Sequence, residues 1–210
     1  MATAPLERPV RTIPPLTNGD NLTREEFERL WDLHPESKHA ERIDGIVYLE
    51  TSVSPDHGVS HTLAMTWLGV FWAGRPGIEV GDNGTVRLDD DDLQPDAYLR
   101  RTEAAGGRSR PTESAIQGTP EFVFEVAASS AAYDLHQKFD VYERNQVPEY
   151  VVWQVFENKL DWFVLRDGRY VSVEPGTDGI IESEQFPGLR LHVPSLLGGD
   201  LAGVLAALRR

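Results

Sequence analysis

The sequence predicts an α/β fold of the mixed α+β type, contained in one domain. Pairs such as Asp44-Gly45 tolerate the positive φ angles of tight turns, and they separate short β-prone runs. Between these runs, apolar residues recur at helical spacing. A chain of 210 residues is also long enough to bury a substantial core in one domain.

The N-terminal part predicts an arm followed by a short helix. Residues 1–20 contain four prolines and show little periodicity, so we expect an extended, disordered arm, with the single domain spanning residues 21–210. Thr23 and Glu26 form a capping-box pattern at the start of a helix. The apolar residues that follow have i, i+3, i+4 spacing: Phe27, Leu30 and Trp31.

The next segment predicts an early β-hairpin and a long helix. Residues 40–49 alternate around Asp44-Gly45, which is typical of a hairpin with a two-residue turn. Ser54 can cap a helix whose first position is Pro55. Apolar residues continue this helix until Gly74 stops it.

A second hairpin is expected after this helix. Residues 78–80 and 85–88 flank Asp82-Asn83-Gly84, which favours a tight turn between two paired strands. The acidic run at residues 89–92 lacks the glycine and the closing glutamate of a calcium loop. We therefore expect this run to form a solvated turn.

Two further strands are predicted on either side of a long connection. Residues 96–99 and residues 121–126 are β-prone. Residues 100–119 are rich in Gly, Ser, Thr and Arg and have no period, so we expect a long surface loop.

The C-terminal half predicts a helix followed by a meander of strands. Leu135, Phe139 and Tyr142 form an apolar stripe on a helix that ends near Gln146. Short turns then separate three strands, and a strand and a short helix close the chain. These five elements are expected at residues 149–156, 160–165, 170–173, 191–193 and 201–208.

Composition excludes some functions and opposes another. The chain has no cysteine, so disulfides, thiolate metal sites and cysteine nucleophiles are excluded. No apolar stretch approaches the ~20 residues of a membrane helix, and residues 1–15 lack a signal-peptide segment, so we expect a cytoplasmic protein. The 34 acidic and 20 basic residues give a net charge of −14, which opposes general attraction to phosphate backbones.

The residues that suggest chemistry are Asp96, Glu125 and Lys138. Asp96 follows a proline at the start of a strand, and Glu125 lies late in a strand whose second face is also apolar. Two strand-borne carboxylates can hold Mg²⁺ while leaving positions for water and a phosphate oxygen. A nearby lysine can stabilise negative charge on the phosphate or position the attacking water.

Lys138 also has a simpler explanation. Asp134 lies four residues earlier on the same helix, so the two residues could form an ordinary surface ion pair. Spacing alone favours this ion pair, because such helical pairs are common.

A family resemblance adds to these observations. Residues 22–197 resemble the Uma-type restriction endonuclease family, a branch of the PD-(D/E)XK superfamily. The resemblance rests on the order and spacing of seven short motifs: Glu41-Arg42-Ile43-Asp44-Gly45, Ser54-Pro55-Asp56-His57, Gln94-Pro95-Asp96, Phe122-Val123-Phe124-Glu125-Val126, Lys138 with Tyr142, Val147-Pro148-Glu149-Tyr150, and Phe186-Pro187-Gly188-Leu189.

The resemblance implies a restriction-endonuclease-like core, in which helices flank a mixed sheet and two carboxylates meet at one sheet edge. Asp96 and Glu125 match the ligands of Mg²⁺ or Mn²⁺ in that family. The family's lysine stands on the next helix, which is the place of Lys138. Glu41 matches an additional acid of the early hairpin, and His57 matches an accessory histidine.

This sequence departs from the family pattern at two places near the site. Ala127-Ala128-Ser129-Ser130 replaces the usual Leu-Ser-Pro-Ser type of turn, and Gln154 replaces a common acid. These departures affect the entrance and the positioning of a substrate more than the metal ligands.

The function expected from the residues and the resemblance is a metal-dependent endonuclease that hydrolyses phosphodiester bonds in DNA. Two alternatives stay open: a catalytically inactive module that binds nucleic acid or protein on the same fold, and a metal-dependent hydrolase of a small phosphorylated substrate. A homodimer is compatible with this architecture. The basic residues that could contact nucleic acid are Arg100, Arg101, Arg108 and Arg110.

Overall fold

The computed structural model describes residues 14–34, 39–49, 54–128 and 133–209. They form a mixed α+β architecture with two six-stranded sheets, which confirms the predicted fold class. The α-helices whose bounds lie within these residues are α1 (Arg24–Leu33), α2 (Pro55–Trp72), α3 (Phe139–Arg144), α4 (Val193–Leu197) and α5 (Leu201–Ala207). A π-helical turn at Asp134–Lys138 leads directly into α3.

The first sheet has the strand order β2-β1-β5-β4-β8-β7. It contains the early hairpin and is antiparallel except for the parallel pair of β4 and β8. Its strands are β1 (Ala40–Ile43), β2 (Ile46–Leu49), β4 (Val86–Leu88), β5 (Asp91–Leu93), β7 (Ser109–Pro111) and β8 (Ile116–Gly118).

The second sheet has the order β12-β11-β10-β9-β6-β3. Strands β9 and β10 are parallel because α3 crosses between them, and the remaining pairs are antiparallel. Its strands are β3 (Ile78–Asp82), β6 (Ala97–Arg101), β9 (Phe122–Ala127), β10 (Glu149–Gln154), β11 (Lys159–Arg166) and β12 (Arg169–Ser172). A separate pair, β13 (Ile180–Glu182) and β14 (Arg190–His192), follows.

Local signals predicted several elements correctly. The capping box of Thr23 and Glu26 is present at the start of α1, and Ser54 accepts a hydrogen bond from the His57 N–H at the start of α2. Asp44 and Gly45 both have positive φ in the turn between β1 and β2. The predicted meander is also confirmed, since β10, β11 and β12 pair in order.

The second predicted hairpin is wrong. Strands β3 and β4 flank the turn at residues 82–84, but they belong to different sheets. β3 pairs with β6, and β4 pairs with β5. The tight hairpin of β4 is therefore with β5, around Asp89-Asp90, whereas β3 pairs with the more distant β6, which no local signal encodes.

Only the first half of the acidic run is a solvated turn, since Asp89 and Asp90 are exposed in the turn between β4 and β5. Asp91 and Asp92 lie in β5 and are buried. Arg144 pairs with Asp91, and Arg24, Arg42 and Arg87 surround Asp92. Buried carboxylates are tolerated where such cationic partners compensate them.

The long surface loop also requires correction. Residues 100–119 contain the end of β6, a 3₁₀ turn at Glu103–Ala105, and strands β7 and β8, which join the edge of the first sheet. Short strands of three residues with many polar side chains give little periodicity, so the sequence pattern missed them.

Strand β9 lies in the centre of the second sheet and is buried on both faces, as predicted. Phe122, Phe124 and Val126 pack with α2 in one core. Val123 and Ala127 face a second core, which includes Tyr142 of α3. Glu125 shares this second face by alternation.

The arm was predicted to reach residue 20, but described residues before that position already pack against the domain. Leu16 is buried with Phe27 and Val47 in a third, smaller core, and Asn21 forms a bridge with Ile46. Residues 1–13 lie outside the described residues. None of the helices in the described ranges is long and apolar enough to cross a bilayer.

Candidate active site

Both sheets contribute to one group of polar side chains. Glu41 lies on β1 of the first sheet, and Glu125 lies on β9 of the second. Asp96 precedes β6, and continuing the register of Ala97 with Phe124 places it opposite Glu125. The Asp96 backbone N–H donates to Glu125 Oε2 at 3.3 Å, so the two acids are neighbours.

Lys138 joins the two sheets electrostatically. Its Nζ lies 3.1 Å from Glu41 Oε1 and 3.1 Å from Glu125 Oε1, and 3.6 Å from Asp134 Oδ1. The lysine side chain is only 3% exposed, and so is that of Asp134. The pair with Asp134 exists, but it is not the surface ion pair that spacing favoured.

The π-helical turn explains how a lysine becomes buried here. Lys138 ends this turn, and Tyr142 lies four residues later, so both side chains point from one helix face toward β9. The Tyr142 hydroxyl donates to Glu125 Oε1 at 3.0 Å. π-turns within helices often mark functional sites, and this one carries Asp134 and Lys138 inward.

Glu41 is fixed by two further donors. The Gln94 backbone N–H donates to Glu41 Oε1 at 2.7 Å, and the Tyr133 hydroxyl donates to Oε2 at 3.1 Å. With Lys138, these contacts hold both oxygens of a carboxylate that is 1% exposed.

Asp96 contacts a different set of groups. The Val126 backbone N–H donates to Asp96 Oδ2 at 2.7 Å, and His57 Nε2 lies 3.1 Å from Oδ1. His61 Nε2 lies 2.9 Å from the Asp96 carbonyl oxygen and 3.2 Å from Asp82 Oδ1. Both histidines come from the first turns of α2, so this helix forms one wall of the site.

The electrostatic environment separates the two acids. Burial raises the pKa of Glu125 well above its ordinary range, and the Lys138 charge offsets this effect only in part. Burial also disfavours ionised Asp96, but the hydrogen bond and charge of His57 and the Val126 N–H outweigh it and lower the pKa of Asp96. Asp96 is therefore the acid that ionises more easily.

Lys138 is a stable cation in this environment. Burial alone would lower the pKa of Lys138, but Glu125, Glu41 and Asp134 together raise it well above its usual range. A lysine that keeps its proton cannot accept one from water, so it can act as a positive charge and a hydrogen-bond donor.

An ion-pair cluster holds the helix that carries Lys138 against the hairpin that carries Glu41. Arg144 of α3 donates to both oxygens of Asp44, at 2.7 and 3.2 Å, and its Nη2 lies 2.5 Å from Asp91 Oδ2. Asp91 Oδ1 also accepts the Asp44 N–H at 2.8 Å. These contacts fix the turn of the hairpin relative to α3.

The donor set suits a hard divalent cation, although the acids do not form a complete cage. Among the residues that the structure describes, no group of three or more His, Cys, Asp or Glu side chains is arranged to hold a metal ion. Mg²⁺ commonly takes one or two carboxylates and completes its shell with water and substrate phosphate. Asp96 and Glu125 can supply such a pair, and the excess of buried carboxylates over cations favours an added positive charge.

The four candidate arginines do not form one basic surface. Arg100 is buried, where it pairs with Glu79 and donates to the Ser109 carbonyl at 3.0 Å. Arg101 donates to the Gln185 carbonyl and lies over the Phe186 ring, and Arg108 donates to the Gln146 carbonyl at 3.0 Å. Arg110 is exposed on β7.

Sequence reasoning missed several groups that hold the site. Tyr133 and the Gln94 backbone orient Glu41. The pair of Asp134 with Lys138 was expected, but its burial was not. The signal for that burial was the apolar stripe that includes Tyr142, because residues 134, 138 and 142 share one helix face. No local pattern indicated the role of Tyr133.

The match to the Uma2 family, described as "Putative restriction endonuclease", extends over residues 24–194. No curated protein matches the chain significantly. The fold is similar to that in the crystal structure of a putative nuclease belonging to DUF820 from Anabaena variabilis ATCC 29413, with 14% sequence identity and a TM-score of 0.67. The similarity covers 85% of this chain and 98% of that chain.

The structural likeness establishes the shared fold, and the restriction-endonuclease-like architecture implied by the sequence is therefore confirmed. The family match covers most of the chain and includes Glu41, Asp96, Glu125 and Lys138. The chain belongs to the Uma2 family of putative restriction endonucleases.

Proposed function

We propose that this protein is a metal-dependent endonuclease that hydrolyses phosphodiester bonds in DNA. The observation that carries the proposal is the contact of Lys138 with both Glu41 and Glu125, beside Asp96. Residues distant in sequence thus bring two strand-borne acids and one stable cation to one place. Family membership supports nuclease chemistry at this place. The cytoplasmic location expected from the sequence is part of this proposal.

Each residue has a proposed role. Asp96 and Glu125 would hold Mg²⁺ or Mn²⁺, which supplies Lewis-acid polarisation of the phosphate and a more acidic water when bound. Lys138 offers its ammonium to the phosphate or to the attacking water, because its proton is firmly held. Glu41 keeps Lys138 in place, and His57 orients the Asp96 carboxylate.

The net charge of −14 favours the alternatives. A catalytically inactive binding module, or a hydrolase of a small phosphorylated substrate, would not need to approach a long polyanion. The retained group of acids with Lys138 argues against the inactive module, since buried charges are costly to keep without a use.

A cleavage assay with a matched variant tests the proposal. Supercoiled, linear and single-stranded DNA and RNA are incubated with the protein in Mg²⁺, Mn²⁺ or EDTA. We expect metal-dependent DNA cleavage by the native chain and a loss of about a hundredfold or more in Asp96→Asn, which removes one charged ligand and keeps the side-chain shape.

Asp167→Asn is the control, because Asp167 lies in the distant turn between β11 and β12 at positive φ, where asparagine is well tolerated. This variant should cleave like the native chain. Equal activity of Asp96→Asn and the native chain would refute the assigned site, and absence of cleavage across the whole panel would refute the nuclease.

A further inference from the structure

His61 is a half-buried side chain of the site to which the proposed function gives no role. Its Nε2 lies 2.9 Å from the Asp96 carbonyl oxygen and 3.2 Å from Asp82 Oδ1, and the side chain is 17% exposed. A carbonyl oxygen can only accept a hydrogen bond, so Nε2 must carry the hydrogen. This nitrogen therefore has no lone pair for a metal ion, and His61 acts as a donor to the backbone of Asp96.

The Asp96 backbone lies where strand pairing ends. Ala97 is the first paired residue of β6 toward both of its neighbours, opposite Asp82 of β3 and Phe124 of β9. Asp96 comes just before Ala97 and follows Pro95, which has no N–H to donate. The regular ladder thus stops beside a proposed metal ligand, and the donor from His61 adds a contact at this point.

Helix α2 contacts Asp96 twice. His57 Nε2 lies 3.1 Å from the Asp96 carboxylate, and His61, one turn later, donates to the carbonyl. The two histidine rings are stacked, with their centroids 5.8 Å apart. Trp67 and Phe71 anchor the same helix in the core. The helix therefore holds both the side chain and the main chain of Asp96 from a fixed position.

The position of the Asp96 backbone also matters for the second acid. The Asp96 N–H donates to Glu125 Oε2 at 3.3 Å, and the Asp96 carboxylate accepts the Val126 N–H at 2.7 Å. A shift of this backbone changes the place of both carboxylates, because each depends on a contact with Asp96.

We propose that His61 is a positioning residue of the metal site and that Asp82 holds its ring in place. The inference rests on the proposed function, because it takes Asp96 and Glu125 as the ligands of a divalent cation. Asp82 Oδ1 also accepts from the Asn83 side chain at 2.6 Å, which orients the carboxylate that faces His61. Loss of an outer contact of this kind typically weakens metal binding by about 10–100-fold.

Glutamine and asparagine at position 61 form a matched pair for the test. The Nε2 of glutamine has about the same reach as the Nε2 of histidine, and it carries two hydrogens, one for each acceptor. Asparagine has the same amide on a side chain that is one carbon shorter. Binding of Mn²⁺ is followed by electron paramagnetic resonance, and Asp96→Asn gives the binding that does not involve the site. We expect His61→Asn to bind Mn²⁺ about tenfold more weakly than the native chain, and His61→Gln to stay within about twofold.

The part played by Asp82 is measured in the same assay with a double-mutant cycle. Asp82→Ala should weaken Mn²⁺ binding in the native background and add little in the His61→Asn background, because Asp82 acts through the His61 ring. Equal losses in the two backgrounds would overturn the role assigned to Asp82.

Circular dichroism establishes that each variant is folded at the temperature of the titration. Equal Mn²⁺ affinity of His61→Asn and the native chain, or equal losses in His61→Asn and His61→Gln, would overturn the positioning role and leave the nuclease assignment intact. A native chain that binds Mn²⁺ no better than Asp96→Asn would overturn the metal site, and this inference with it. The readout does not involve cleavage, so the two failures are distinguishable.

Discussion

Lys138 shows how burial changes the meaning of a residue. From its spacing alone, Lys138 was expected to form an exposed ion pair with Asp134. In the structure, three carboxylates surround the lysine side chain, which is only 3% exposed. Glu41 reaches it from the other sheet, and no helical periodicity could have indicated that contact. The family resemblance supplied both residues, and the geometry now explains why they belong together.

Replacement of Lys138 by methionine is expected to affect stability strongly. The variant leaves Glu41, Glu125 and Asp134 buried without their common cation, which costs about 3–5 kcal/mol in the free energy of unfolding at neutral pH. Urea denaturation of the two proteins measures this change. A loss of folding stability must therefore be separated from a loss of catalysis at this position.

The double variant Lys138→Met/Glu125→Gln provides the control. Glu125→Gln removes one of the three buried carboxyl groups that lose their common cation, so the double variant should recover part of the lost stability. A change of roughly 0.5 kcal/mol or less in the single variant would instead match an exposed pair and contradict the buried ion cluster.

Among the elements, those with local signals were the predictable ones. The capping box of α1, the Ser54 cap of α2 and the Asp44-Gly45 turn each specify a conformation through neighbours in sequence. Strand pairing between β3 and β6, or between β4 and β8, depends on distant segments and was missed. The burial of Asp92 in β5 depends likewise on Arg24, Arg42 and Arg87.

Strand β10 begins with a buried acid that ties down the loop between β13 and β14. Glu149 Oε1 accepts the backbone N–H of Glu184 at 2.5 Å and of Gln185 at 2.9 Å. Burial raises the pKa of Glu149 to about 7, although these hydrogen bonds act in the opposite direction. The other charged groups near this loop include Glu184 and Arg101, which donates to the Gln185 carbonyl.

This contact predicts a pH dependence of stability. The folded chain holds the Glu149 proton up to about pH 7, whereas the unfolded chain releases it near 4.5. The contribution of Glu149 to the free energy of unfolding is therefore greatest below pH 4.5 and is lost as the pH rises through 7. Its total is on the order of 3 kcal/mol. Glu149→Gln cannot ionise, so its stability relative to the native chain should increase from pH 5 to pH 8.

Urea denaturation at several pH values compares the two chains directly. The difference between them isolates this one group, because all other titrations are shared. A difference that stays constant from pH 5 to pH 8 would show that Glu149 is ionised throughout.

At the scale of the whole molecule, the candidate site lies where the two sheets meet, and its acids come from both. The resemblance to a known family therefore predicted the set of residues, while the sequence pattern alone could not place Glu41 beside Glu125. The net charge of −14 was visible from the sequence, but its distribution was not. Arg100 is buried and ion-paired, which removes one of the four expected phosphate contacts.

The distribution of the arginines predicts that binding to DNA depends only weakly on the salt concentration. Arg108 and Arg110 flank Ser109 in the β7 region, and they are the candidate arginines that can be changed without disturbing the buried pair of Arg100. Each phosphate contact contributes about −0.9 to the slope of log K against log salt. Replacing both arginines by alanine should therefore reduce the magnitude of the slope by about 2.

The measurement uses the Asp96→Asn chain with duplex DNA, so that cleavage does not interfere, and follows fluorescence anisotropy across a salt series. The matched control is Arg166→Ala/Arg169→Ala, which removes the same charge from the hairpin of β11 and β12. Those two arginines pair with Glu184 and Glu143, so their loss should leave the slope nearly unchanged. Equal slopes for both double variants would mean that net charge alone governs the affinity, and that the β7 region is not where this acidic protein meets a phosphate backbone.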